Sequence, residues 1–95
     1  MFMITFKNKR NKIKLAKIIS KNLLLRNSAD ELFNYINDIK ATELIIDFKK
    51  IQSVTRAFTH QYLLNKKKSK KNIIDVNTSP HVKNMFELIE KTNNI

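Results

Sequence analysis

Three side chains in this 95-residue chain have the chemistry of an acid–base or metal site: Asp47, His60 and His81. Asp47 follows an apolar run, and in α/β sheets catalytic groups collect at the carboxyl ends of strands. The two histidines are not at metal-ligand spacing on one helix, and no nucleophile with a paired base accompanies them. Asp47 is instead expected to cap loop amides. The sequence therefore predicts no catalytic residue, no metal ligand and no cofactor, and we expect that the protein is not an enzyme.

The composition excludes further kinds of site. The chain contains no cysteine, which excludes disulfides, thiolate ligands and cysteine nucleophiles, and no glycine, which excludes glycine-rich phosphate loops. Its longest apolar runs are far shorter than the roughly 20 residues that a membrane span needs, and its basic N-terminus lacks the features of a secretory signal. We therefore expect a cytoplasmic protein without a membrane partner.

The charge of the chain is strongly positive. Lysine and arginine outnumber acidic residues 19 to 8, which gives a formal net charge of +11 and favours polyanions. Nucleic acid is thus one predicted partner, bound through backbone charge with weak sequence preference. The candidate contacts are basic residues of two segments: Lys7, Lys9, Arg10, Lys12, Lys66, Lys67, Lys68, Lys70 and Lys71. A lysine- and asparagine-rich bias that keeps the surface soluble explains the charge equally well.

The elements that position these residues can be read from local signals. Residues 2–6 and 12–19 predict a β-hairpin, although Leu15, Ile18 and Ile19 in the second arm also fit a short helix. A capping box at Ser28 and Glu31 predicts the start of a helix that ends near residue 40. Residues 44–48 form an apolar run typical of a strand covered on both faces.

The second half of the chain continues this alternation. Thr55 is expected to cap a second helix, which ends in the lysine run at residues 66–71, and residues 73–76 predict another strand. Ser79 and Pro80 predict the start of a third helix. The order β-β-α-β-α-β-α indicates one α/β domain over residues 1–95, with a mixed sheet of about four strands and three helices. Its expected core cluster is Ile46, Phe48, Phe58, Ile74 and Phe86.

The predicted connections also indicate where the charge lies. Crossovers through helices make successive strands parallel, so the loops that leave the helices share one end of the sheet. Residues 7–12 and 66–71 should then form a single basic patch.

Arg56 is a basic residue in an unusual position, because it falls in the first turn of a helix, where the macrodipole disfavours a cation. An acidic partner or a phosphate would explain it, as would an exposed arginine without a role.

From residue 26 onward the chain carries, in this order, Arg26, Asp47, Phe48, Val54, Ala57, Phe58, Asn77, Val82 and Met85. In their order and spacing these residues resemble the STAS-like family, small prokaryotic domains of unknown function related to the sulphate-transporter and anti-sigma-factor-antagonist domains. The resemblance implies a mixed sheet with packed helices that serves as a regulatory docking domain. Its partner would be another protein, of a kinase-like or other regulatory kind.

The better-known STAS domains carry a serine at the start of the second helix, and its phosphorylation switches binding. Ala57 stands at that position here, and His60 and Gln61 stand where STAS-like members tend to carry an acidic pair. These differences leave the phosphoswitch unsupported. The predicted docking surface is residues 49–60, flanked by residues 77–81, with these candidate partner contacts: Ser53, Thr55, Arg56, Thr59 and His60.

Overall fold

The computed structural model describes residues 11–95. In this part of the chain the elements are β1 (Asn11–Lys14), α1 (Leu15–Ile18), β2 (Asn22–Leu23), α2 (Arg26–Asp38), β3 (Glu43–Asp47), β4 (Ser53–Val54), α3 (Arg56–Lys68), β5 (Asn72–Val76) and α4 (Pro80–Asn93). The α/β class predicted from the sequence is confirmed. The hairpin's first strand, predicted at residues 2–6, lies outside the described residues, and its second arm is divided between β1 and α1.

The strands form two parallel sheets within residues 11–95, where about four strands in one mixed sheet were expected. The larger sheet has the order β1-β3-β5, and the smaller one pairs β2 with β4. Ile13 lies opposite Ile46 in the first ladder, and Leu44 lies opposite Ile73 in the second. The parallel direction is confirmed, because helices connect the successive strands of the larger sheet. The smaller sheet was not predicted from the sequence.

The burial of β3 alternates along the strand. Leu44 and Ile46 are buried, whereas Glu43 and Ile45 are only half-buried. Side chains on a strand point alternately to its two faces, so the face of Leu44 and Ile46 is fully covered, whereas the opposite face is partly covered at Glu43 and Ile45 and buried at Asp47. The same alternation in β5 buries Ile73. Its neighbour Ile74 is half-exposed on the opposite face and does not belong to the core cluster.

The centre of the core is aromatic. Tyr62 of α3 is fully buried, and its ring centroid lies 5.5 Å from Phe33, 5.7 Å from Phe48, 5.9 Å from Phe58 and 5.8 Å from Phe86. The rings join α2, α3 and α4 to the chain that follows β3. Aromatic pairs at such distances add to the free energy gained from burial of their area. The predicted core positions of Phe48 and Phe58 are confirmed, and Phe86 packs half-buried against the cluster.

The starts of two helices agree with the capping signals in the sequence, and the start of a third does not. The Thr55 hydroxyl accepts from the Phe58 backbone N–H at 3.1 Å, and the Ser79 hydroxyl accepts from that of Val82 at 3.3 Å with Pro80 in the first turn. Both predicted caps are confirmed. The capping box at Ser28 is wrong, because the N-cap of α2 is Leu25, three residues earlier, and it makes no side-chain hydrogen bond.

The turns of this glycine-free chain use other residues in the left-handed region. Asn77 has φ of 58° and Asn94 has φ of 55°, as expected for the residue that tolerates this region best after glycine. Lys50 also has a positive φ, of 68°. In residues 11–95 we find no helix with both the length and the apolar character needed to cross a membrane.

Candidate functional site

The start of α2 and the start of α3 are held side by side by the small sheet. Leu23 lies opposite Val54, and each strand runs within a few residues into its helix. The Thr55 backbone N–H donates to the Leu23 carbonyl at 3.0 Å, and the Thr55 hydroxyl donates to the Leu24 carbonyl at 2.7 Å. Because these bonds join the two chain segments directly before the helices, the first residues of both helices are positioned together.

Basic side chains from these helix starts meet in one open depression. Arg26 is the first residue of α2, Arg56 is the first residue of α3, and His60 follows one turn later. We call this surface the arginine depression and define it by its lining residues, which include no carboxylate: Arg26, Arg56, Ala57, His60, Ile89, Thr92 and Asn93. Both arginines are exposed and His60 is half-buried. The depression is therefore a concave, accessible surface with a net positive charge.

Arg26 is fixed by contacts with α3. Its Nη1 donates to Gln61 Oε1 at 3.1 Å and lies 3.5 Å from His60 Nδ1. Arginine carries only donors, so a hydrogen bond at this contact requires Nδ1 of His60 to accept. This arrangement orients the guanidinium while leaving most of its five N–H groups available.

Arg56 faces the last turns of α4. The dipole at a helix C-terminus favours a nearby cation, which offsets the unfavourable position of Arg56 at the start of its own helix. The α4 carbonyls are already bonded, since the Thr92 hydroxyl donates to Leu88 O at 2.8 Å and Asn93 Nδ2 donates to Ile89 O at 3.0 Å. Arg56 makes no hydrogen bond or ion pair with the described residues. Its donors thus remain available to a ligand.

The other predicted partner contacts have structural roles. The Ser53 hydroxyl donates to Asn22 Oδ1 at 2.7 Å and ties β4 to β2, and the Thr55 hydroxyl caps α3. Thr59 has an exposed fraction of 0%, so its side chain does not reach the surface, and its Oγ1 has no hydrogen-bond partner within residues 11–95. Of the five predicted residues, only Arg56 and His60 line the arginine depression.

Asp47 is a buried structural carboxylate at the carboxyl end of β3, with an exposed fraction of 1%. Its Oδ1 accepts from the Lys49 backbone N–H at 2.9 Å and from Asn77 Nδ2 at 2.8 Å, and its Oδ2 lies 3.5 Å from Lys12 Nζ. Burial works to raise the pKa of this carboxyl, but the bonds from Asn77 and Lys49 and the charge of Lys12 outweigh it and hold the pKa below its ordinary value. The expected capping of loop amides is confirmed.

The two histidines, His60 and His81, do not belong to the hydrogen-bond network of Asp47. His81 is exposed in the first turn of α4, and His60 contacts Arg26. No group of three or more histidine, aspartate or glutamate side chains in residues 11–95 is arranged to hold a metal ion.

Several lysines of the predicted nucleic-acid set are engaged inside the fold. Lys12 is paired with Asp47, and Lys66 Nζ donates to Asp75 Oδ2 at 2.8 Å. Lys71 Nζ donates to the Ile39 and Ala41 carbonyls after the end of α2. Three others make no hydrogen bond or ion pair with the described residues: Lys67, Lys68 and Lys70. The remaining candidates, Lys7, Lys9 and Arg10, lie outside the described residues.

The predicted single basic patch stays a prediction, because residues 7–10 lie outside the described residues. β1 runs parallel to β3, so Asn11 and Asn72 both lie at the starting ends of their strands, as the connectivity predicted. The Lys12 ammonium, however, reaches toward the carboxyl end of β3, where Asp47 lies. The predicted end of the second helix within residues 66–71 is confirmed, because α3 ends at Lys68. The lysines up to that residue are helical, and only the later ones leave the helix.

The sequence interpretation missed Arg26 and Gln61 as parts of this site. Arg26 was noted only as a matching residue of the family resemblance, and the predicted start of its helix was too late. Compared with protein-family models, curated proteins and solved structures, the chain gives no match. The resemblance to the STAS-like family accordingly stays a prediction.

Proposed function

We propose that this protein is a non-enzymatic regulatory interaction module of STAS-like type that docks an acidic segment of a partner protein on the arginine depression. The observation that carries the proposal is the meeting of Arg26 and Arg56 on one accessible surface without a carboxylate among its lining residues. Arginine is the preferred residue for contacts with carboxylates and phosphates at interfaces, because its planar fork bonds them in a bidentate manner. The regulatory role is the part that comes from the family resemblance.

A protein partner is favoured by apolar side chains beside the charge. Leu24 and Leu25 directly precede Arg26, and their exposed fractions are 50% and 65%. Protein interfaces combine arginine with apolar contacts, whereas their centres are depleted in lysine and acidic residues. A partner that carries both acidic and apolar side chains would bury these leucines while it neutralises the arginines.

Nucleic acid is the alternative partner, and the arrangement of charge favours it less. Binding to a phosphate backbone requires many cations distributed along a track. The arginine depression is a compact set, and three of the lysines expected to form the track are held by Asp47, Asp75 or backbone carbonyls.

The proposal is tested by affinity purification of the tagged protein, with and without nuclease treatment. We expect a protein to co-purify in both conditions and to be lost, by about tenfold or more, with Arg26→Glu or Arg56→Glu. Lys83→Glu is the matched control, since Lys83 is an exposed cation of α4 outside the depression. All three variants should melt like the parent, because exposed charge changes usually alter stability by about 0.5 kcal/mol or less.

Two results would count against this function. Recovery that disappears with nuclease would indicate a nucleic-acid binder. Recovery that survives both arginine reversals would remove the depression as the docking surface.

A further inference from the structure

Two complete positive charges converge on the arginine depression, and the fold does not neutralise them. The Arg26 side chain bonds only to Gln61 and His60, neither of which is an anion, and the Arg56 side chain has no hydrogen-bond or ion-pair partner among residues 11–95. The first turns of α2 and α3 contain no acidic residue, although acidic side chains are favoured there. An anionic ligand would supply the charge complement to this surface.

The number of charges indicates the kind of anion. One carboxylate would neutralise only one of the two arginines. A phosphorylated side chain carries a charge of about −1.5 to −2 at neutral pH and three strong acceptor oxygens, so a single group balances both guanidinium ions. Each arginine can bond two of its oxygens at once, and the His60 imidazole lines the same surface.

The wall formed by α4 fits this assignment. The polar side chains of Thr92 and Asn93 are bonded to carbonyls of their own helix. The Ile89 side chain, which lines the same wall, has no polar atom. A ligand would therefore be recognised by the cationic side chains of α2 and α3. Such a surface favours an anion with several acceptor oxygens over a neutral polar ligand.

We propose that the arginine depression binds a phosphate-class dianion, supplied by a phosphorylated side chain of the partner protein. This inference rests on the proposed function and specifies the partner chemistry at the same site. Arg26 and Arg56 hold the phosphate oxygens, and Gln61 positions Arg26. The surface would then bind a modification made on another protein.

The first test uses inorganic phosphate as the probe. In ¹H–¹⁵N spectra at constant ionic strength, phosphate should shift the resonances of residues 26, 56, 57 and 60 saturably, and acetate should do so at least about tenfold more weakly. Arg26→Gln should weaken phosphate binding about tenfold, and Arg26→Lys should restore only part of it, because lysine keeps the charge and loses the fork. Lys83→Gln should leave the titration unchanged. Equal responses to acetate and phosphate, or equal responses at exposed lysines elsewhere, would overturn the phosphate assignment.

The second test uses the co-purified partner and separates this inference from the proposed function. We expect phosphatase treatment of the partner and the Arg26→Gln variant each to abolish binding. Binding that resists phosphatase yet requires Arg26 would overturn the phosphate inference and leave an acidic docking module. Binding that requires neither would overturn both.

Discussion

The hydroxyl of Tyr62 donates a hydrogen bond to Asp75 Oδ1, so a fully buried residue of α3 is joined to a carboxylate of β5. The other oxygen of Asp75 accepts from Lys66 Nζ at 2.8 Å, one turn further along α3. Burial, and then the charge of Asp75, raise the pKa of Tyr62 well above its ordinary value. The helix and the strand are thus held in one position by a polar network at the edge of an aromatic core.

Replacement of Tyr62 with phenylalanine keeps the ring and removes only the donor. We expect Tyr62→Phe to lower the free energy of unfolding by about 1–3 kcal/mol, because Asp75 loses a partner in a poorly solvated position. Tyr35→Phe is the matched control, since Tyr35 is 54% exposed and should change stability very little. Urea denaturation of the two variants makes the comparison. Equal midpoints would show that the Tyr62–Asp75 bond does not contribute.

The raised pKa of Tyr62 has a consequence at alkaline pH. A tyrosine that stays protonated in the folded state stabilises it fully below the unfolded pKa of about 10, and this contribution is lost as pH rises from there toward the folded value. The parent should therefore lose stability above about pH 10 more steeply than Tyr62→Phe. Thermal melts from pH 8 to 11 measure the difference, and parallel curves for the two proteins would contradict the assignment.

Asp47 predicts the opposite behaviour at acid pH. Its pKa is held below the ordinary carboxyl value, so the carboxylate stabilises the fold above about pH 4 and loses this effect as pH falls through the lower folded value. Asp47→Asn should remove that part of the acid dependence and cost about 1–3 kcal/mol at neutral pH, because the bonds to Lys49 and Asn77 are disturbed. Glu87→Gln, an exposed change on α4, is the control. An acid unfolding midpoint unaffected by Asp47→Asn would be the contrary result.

Local sequence signals were sufficient where an element depends mainly on its own residues. Thr55 and Ser79 cap α3 and α4 as expected, because a hydroxyl followed three residues later by a free backbone N–H is a short-range arrangement. Ser28 has the same kind of signal and does not cap α2. There the pairing of Leu23 with Val54 decides where the helix begins, and tertiary contacts of this kind are not encoded in a short window.

The candidate site was only half predictable for the same reason. Arg56 could be singled out because a cation in a first helical turn is unfavourable on its own. Arg26 meets it only through β2 and β4, each two residues long, which leave no periodic pattern. The sequence interpretation predicted Thr59 as a surface contact beside Arg56, and this placement is wrong because the side chain is buried. On α3 it lies on the buried side with Phe58 and Tyr62.

The buried hydroxyl of Thr59 gives a direct test of that assignment. Thr59→Val preserves the shape and removes a polar atom that has no partner within residues 11–95, so we expect stability to rise by about 1 kcal/mol. Thr59→Ser keeps the hydroxyl, removes a buried methyl group, and should lower stability by a similar amount. Partner recovery should be unchanged with Thr59→Val. Loss of binding in a folded Thr59→Val protein would return this residue to the docking surface.

The lysine run at residues 66–71 contains lysines bonded within the fold and lysines whose side chains are available to DNA. Lys67, Lys68 and Lys70 are exposed and make no hydrogen bond or ion pair with the described residues. In low-salt DNA binding, their joint replacement with glutamine should therefore reduce the slope of log affinity against log salt by about 3, close to 0.9 for each lost phosphate contact. The triple variant should unfold like the parent.

Lys71→Gln should instead lower the free energy of unfolding by about 1 kcal/mol or more, because the Ile39 and Ala41 carbonyls lose their charged donor. Fluorescence anisotropy across a salt series and urea denaturation provide the two readouts. An unchanged salt slope in the triple variant would exclude these lysines from DNA binding, and no DNA binding at low salt would leave them as solubilising charge.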